Sequence, residues 1–154
     1  MIKKLLLKWL RPFTIADQDG SPYLTRYFVL RSRWFGIYLH NIHRNDRDDM
    51  HDHPWNFTTF ILRGGYWEYL TDHPPLTDRR RWCGPGSVLR HKATDIHRVE
   101  LRTDEWGKFI PAWTLVFIGR KQRSWGFHTL GGWVHWREYM DQKFGKDQWT
   151  GVPQ

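Results

Sequence analysis

The sequence predicts an all-β domain, a sandwich or barrel of antiparallel strands. Two observations carry this. About nine short runs of β-type residues follow one another at regular spacing, each ended by a Gly, Pro, Asp or Asn turn. Helical periodicity is confined to the chain ends, at 2–10 and 134–144. At 154 residues the chain is read as one domain over 1–154, with the barrel at about 23–129.

The elements follow in order. A turn at 17–21 precedes a strand at 23–31, and 34–43 returns before the charged loop Arg44-Asn45-Asp46-Arg47-Asp48-Asp49. Residues 55–62 run into Gly64-Gly65, and 66–70 come back from it. A Pro/Asp loop at 72–78 leads to 80–83, the tight turn Gly84-Pro85-Gly86 and a strand at 87–90. Strands at 97–101, 113–118 and 125–129 complete the set, the last two joined by the basic turn 119–124.

Composition narrows the function classes. No run of eighteen apolar residues exists, so no transmembrane span is expected. The apolar N-terminal stretch is interrupted by Lys8 and followed by no small-residue cleavage site. It reads as a short amphipathic helix on the domain rather than a secretory signal, with a membrane-surface contact as the alternative. Cys83 is the only cysteine, which excludes an intramolecular disulfide and a cysteine-based zinc site and fits a cytoplasmic setting. The net charge is +8 and basic clusters stand at 79–81, 90–92 and 120–123. They read as solvated surface, with an acidic small molecule or nucleic acid as the competing partners. The 11 tryptophans are expected to fill the core and cover sheet faces.

The chemistry concentrates in His51-Asp52-His53 and His97. On an extended chain side chains alternate, so His51 and His53 share one face and Asp52 takes the other. A third imidazole from a neighbouring strand completes one side of a transition-metal site. Three protein ligands leave coordination positions open, as in reactive metal centres rather than sealed structural ones.

These residues resemble the cupin superfamily of jelly-roll, or double-stranded β-helix, barrels. Its first motif, G-x5-H-x-H-x(3,4)-E-x6-G, is met by His51, His53 and Gly65, with Thr58 at the glutamate position and Asn45 at the opening glycine. Its second, G-x5-P-x-G-x2-H-x3-N, is met by Gly86 and His97, with Lys92, Thr94 and Leu101 as departures. The segment 66–85 between them has room for two strands. The wording His-Asp-His-Pro-Trp is similar to that of small single-domain cupins of bacteria and their phages.

The resemblance implies a jelly roll with short terminal helices and a divalent transition metal on His51, His53 and His97. With Thr58 in place of glutamate the ligand set is three neutral imidazoles. That resembles the thiol-dioxygenase branch, and so favours Fe(II), with Zn, Mn or Ni as alternatives. The Cys–Tyr crosslink of some members is not carried over, because Cys83 lies on the turn before the second motif. The implied activity is Fe(II)-dependent oxygenation of a small anionic substrate. A non-catalytic cupin binding a small molecule or nucleotide, and a Zn- or Mn-dependent isomerase or hydrolase, stay open beside it. A homodimer is a further expectation.

Around the metal, His128 on the last strand is the candidate acid or base, or an extra ligand, against a structural histidine. Arg63 and Arg90 are candidates for bidentate anion binding. Trp55, Tyr66 and Trp113 are candidate cavity walls, and Thr58 is expected to face the cavity without coordinating. Asp95, two residues before His97, shares its face and orients its imidazole if the chain there is extended. Arg98 is expected to turn away.

Overall fold

The structure is a computed structural model that describes residues 12–17, 19–46, 49–74, 76–77 and 79–146. The helix expected at 2–10 lies outside the described residues. The strands are β1 (Pro12–Ala16), β2 (Pro22–Arg31), β3 (Gly36–Ile42), β4 (Met50–His51), β5 (Phe57–Arg63), β6 (Tyr66–Thr71), β7 (Arg79–Cys83), β8 (Val88–His91), β9 (Ile96–Leu101), β10 (Ala112–Ile118), β11 (Gly126–Thr129) and β12 (Gly132–His135), followed by helix α1 (Trp136–Phe144).

They form two six-stranded sheets, in the orders β1-β2-β3-β10-β5-β8 and β12-β11-β4-β9-β6-β7. The paired strands run antiparallel, as the expected jelly roll requires. The expected strands are present, with their ends moved where hydrogen bonding decides. Ser32 N–H donates to Phe35 O at 2.9 Å and closes a turn, so β3 starts at Gly36 rather than at Trp34. Val134 pairs with Phe127 in β12, so the terminal helix begins two residues later than its periodicity suggested. The His135 imidazole caps that helix by accepting from Arg137 N–H at 3.3 Å, and Gly145 ends it at φ +84°. Two further strands had no sequence signal of their own. β1 extends the first sheet against β2, and β4 is two residues long.

Two buried apolar clusters frame the interior. Ile61, Tyr66, Cys83, Leu89, Val99, Leu101 and Ala112 form one. Phe127, Trp136, Tyr139 and Met140, under the helix, form the other. Gly64 and Gly65 allow the β5–β6 reversal. Both have positive φ, and a Cβ on either would stand within 2.6 Å of a backbone carbonyl oxygen, of Pro111 or Cys83. Among the described residues no helix is long and apolar enough to cross a membrane.

Candidate metal centre

A cavity of about 250 Å³ lies between the sheets. β2, β3, β5 and β10 wall one side, and β4, β6, β9 and β11 with the loop after β4 wall the other. The three histidines meet in it. His51 on β4 stands directly across from His97 on β9, an antiparallel pair. His53 follows on the loop beyond β4, held by its N–H to Ala93 O at 3.1 Å. The ring centroids are 4.9–5.1 Å apart, and one nitrogen from each ring lies within 4.8 Å of the others.

Hydrogen bonding assigns the tautomers. His97 Nδ1 lies 2.7 Å from Glu68 Oε1. An ionised carboxylate only accepts, so His97 carries a proton on Nδ1 and turns Nε2 to the cavity. His53 Nε2 is 2.7 Å from His97 Nε2, and one of the two nitrogens donates to the other. His51 Nδ1 is buried and makes no hydrogen bond. Burial holds His51 down to about 4 and His53 well below the usual histidine range, so both rings are neutral at neutral pH. Neutral imidazoles with an orphaned ring nitrogen and an oriented neighbour fit a divalent transition metal.

Glu68 is the residue that organises the centre, and the sequence offered no spacing to find it. It sits on β6 with no solvent exposure, and its other oxygen takes Arg81 Nε at 2.8 Å and Nη2 at 2.7 Å. His91 Nε2 stands 2.6 Å from Oε1. Burial opposes the charge, but the close imidazoles of His91 and His97 overcome it and keep the carboxyl well below its usual range. Glu68, His91 and His97 also have metal-ligand spacing. That group is sealed, however, and neither Glu68 nor His91 lines the cavity. Cys83, buried beside Glu68, has its thiol pushed up to about 11 by burial and that negative charge.

Asp52 points the opposite way from the ligands, as alternation requires. It is 2% exposed, accepts from Gly126 N–H (2.9 Å) and Trp133 Nε1 (3.0 Å), and pairs with Arg123 (3.0 Å). His128 Nε2 lies 3.2 Å from the same carboxylate. His128 is therefore part of that structural cluster and does not line the cavity, where Phe127 takes its place.

The other expectations divide. Trp55 and Tyr66 line the cavity. Trp113 lies on the outer face of β10, stacked on Tyr27 at 6.0 Å. Arg63 and Arg90 are exposed and outside it. Thr58 faces an outer groove with Arg90, Lys92 and Phe117, while Phe57 and Thr59 face the cavity. The glutamate position is thus occupied by Phe57, whose ring is 4.5 Å from His53, and the motif closes on Gly64. Adjacent glycines made both registers readable. Asp95 closes a turn, its carboxylate accepting from Lys92 N–H at 2.9 Å, and Glu68 does the orienting instead. Arg98 turns away, over the Tyr69 ring at 4.1 Å.

Arg26 was missed. It lines the cavity from β2, and its Nε donates to His40 Nε2 at 2.9 Å. Alternation of Leu24, Arg26 and Phe28 along an apolar face was the available signal.

No protein-family model and no curated protein matches the sequence. Solved structures do. A cupin-2 domain protein from Rhodospirillum rubrum superposes with a TM-score of 0.61 at 9% identity, over 80% of this chain and 78% of that one. The fold is the cupin fold. The polyketide cyclase RemF from Streptomyces resistomycificus superposes at 0.56 with 17% identity, over 70% and 72% of the two chains. HppE in its Fe(II) form superposes at 0.56 with 14% identity, over 72% of this chain and 57% of that one.

Proposed function

We propose that this cupin is a metal-dependent enzyme of the oxygenase type, acting on a small anionic substrate. It would hold a divalent transition metal, Fe(II) by preference, through His51, His53 and His97. The observation that carries the reading is the convergence of three imidazoles on one cavity, with His97 clamped by Glu68 and no carboxylate among the three. HppE, which superposes on this chain in its Fe(II) form, supports the choice of metal. When bound, the metal supplies Lewis acidity and, as Fe(II), one-electron chemistry with O₂.

The chain's own residues prepare that chemistry. Glu68 keeps a His97 proton on Nδ1 and turns Nε2 to the cavity. His53 Nε2 and His97 Nε2, 2.7 Å apart, must give up the proton between them before both can ligate. Phe57, Trp125 and Phe127 surround the imidazoles with apolar surface and limit water. The buried Thr114 hydroxyl, without a hydrogen bond in the structure, offers a neutral partner to a substrate oxygen or nitrogen.

The test is anaerobic Fe(II) reconstitution with elemental analysis, then O₂ uptake with a panel of thiols, carboxylates and nucleotides. One iron per chain is expected, lost in His53→Ala, with substrate-dependent uptake abolished in His51→Ala. An iron-loaded protein inert across a broad panel would move the reading to a binding protein or a Zn- or Mn-dependent hydrolase or isomerase. Failure to load any divalent metal would end it.

A further inference from the structure

Arg26 is a charge with no counter-charge among the described residues. On β2 it pairs across to His40 on β3, and both line the cavity. Its Nε is used by His40, and its guanidinium lies 5.0 Å from the Tyr38 ring centroid. No carboxylate pairs with it among the described residues, and neither terminal nitrogen makes a hydrogen bond there. Asp46 is the single carboxylate in the cavity wall among the described residues, and it is already engaged. One oxygen accepts from the Tyr23 hydroxyl and the other from Val99 N–H at 2.7 Å. Burial lowers the Arg26 guanidinium to about 10, which still leaves it charged at neutral pH. His40 is held neutral, first by burial and then by Arg26, so it adds no competing charge.

A half-buried guanidinium without a counter-charge among the described residues faces the cavity. With Nε occupied, the two terminal nitrogens present a flat fork, the geometry that takes a carboxylate bidentately. We infer that Arg26 anchors the carboxylate of a short organic acid, whose other end faces His51, His53 and His97. Size supports this class. At about 250 Å³ the cavity falls at the small end of ligand sites. The inference rests on the proposed metal site only for the orientation of the second end. It replaces Arg63 and Arg90, which lie outside the cavity, as the anion-binding residue.

The experiment uses metal-free, full-length protein, so its outcome is independent of metal loading. Propionate, its neutral isostere propionamide, and AMP are titrated by calorimetry and by NMR of the Arg26 Nε–Hε resonance. Propionate is expected to bind at least tenfold tighter than propionamide and to shift that resonance, and AMP not to bind. Arg26→Gln should lose propionate affinity at least tenfold and leave propionamide unchanged. Equal wild-type binding of propionate and propionamide, an Nε–Hε resonance unmoved at saturation, or an Arg26→Gln protein with wild-type propionate affinity would overturn the inference. AMP binding tighter than propionate would overturn the size argument with it. If Arg26→Gln does not fold, the wild-type discrimination and the resonance decide.

Discussion

Replacing Glu68 by Gln tests the centre's orientation with almost no change of shape. Glu68 serves two imidazoles on one oxygen and the Arg81 fork on the other. Glutamine keeps one acceptor. Arg81 can only donate, so the amide oxygen stays with it and the amide N–H₂ turns to the imidazoles. His97 Nδ1 must then accept, and its proton moves to Nε2, the nitrogen that faces His53 and the cavity. Metal binding would first have to reverse that tautomer. Loss of a ligand's orienting partner costs about 10- to 100-fold in affinity, or about 1.4–2.8 kcal/mol. Folding stability should also fall, by about 1.5–3 kcal/mol, from the lost charge-assisted hydrogen bonds. Competition titration with a metal indicator at pH 7 reads the first effect, and urea unfolding of the metal-free protein reads the second. Long-range ¹H–¹⁵N spectra of His97 report the tautomer directly. Metal affinity within twofold of wild type, with the His97 proton already off Nδ1 in wild type, would refute the reasoning.

Two further outcomes are expected. His51 is depressed by burial to about 4 in the folded state against about 6.5 unfolded, so its stabilising contribution is complete above 6.5 and lost as pH falls toward 4. At pH 5 this amounts to about 2 kcal/mol, with His53 adding in the same direction; urea midpoints of the metal-free protein at pH 7 and 5 should show it, and His51→Gln should flatten the slope. Phe57→Glu should tighten divalent-metal binding at least tenfold by placing a carboxylate beside His53, whereas Thr58→Glu, facing the outer groove, should change it less than twofold. The reverse pattern, read by the same competition titration, would restore Thr58 to the cavity.

What the sequence disclosed follows the range over which each rule acts. Period-two alternation is local, and it correctly opposed Asp52 to the His51 face and turned Arg98 away from His97. The spacing between Gly86 and His97 placed β9 as a ligand strand, and β9 pairs with β4 at His51 itself. Alternation fails when the register is one residue off. Two consecutive glycines allowed Thr58 to stand for Phe57, and a one-residue slip exchanges the inner and outer faces. His128 was a candidate through its place on the last strand, against a structural histidine; Phe127 is the inward residue and His128 goes to Asp52. Glu68 was beyond reach for another reason. It meets His97 only because β6 pairs with β9, at Glu68↔Val99 and Leu70↔His97, a non-local register that no spacing encodes.

The two sheets divide the work of the cavity. All three candidate ligands come from one sheet and its loop, and each neighbourhood is fixed by a buried carboxylate. Asp52, between two of them in sequence, ties the chain after β4 to Gly126 on β11 and Trp133 on β12. Glu68 ties β9 to β6, and through Arg81 to β7. The facing sheet carries groups that can recognise a ligand without touching that framework: Arg26 on β2, Tyr38 and His40 on β3, Thr59 on β5 and Thr114 on β10. Buried charge networks are costly to break, by about 3–5 kcal/mol when one partner is removed, so the ligand side tolerates little change. Neutral groups on the opposite wall carry no such penalty. A change of ligand in this architecture would therefore run through β2, β3, β5 and β10, and leave the candidate metal ligands of β4 and β9 in place.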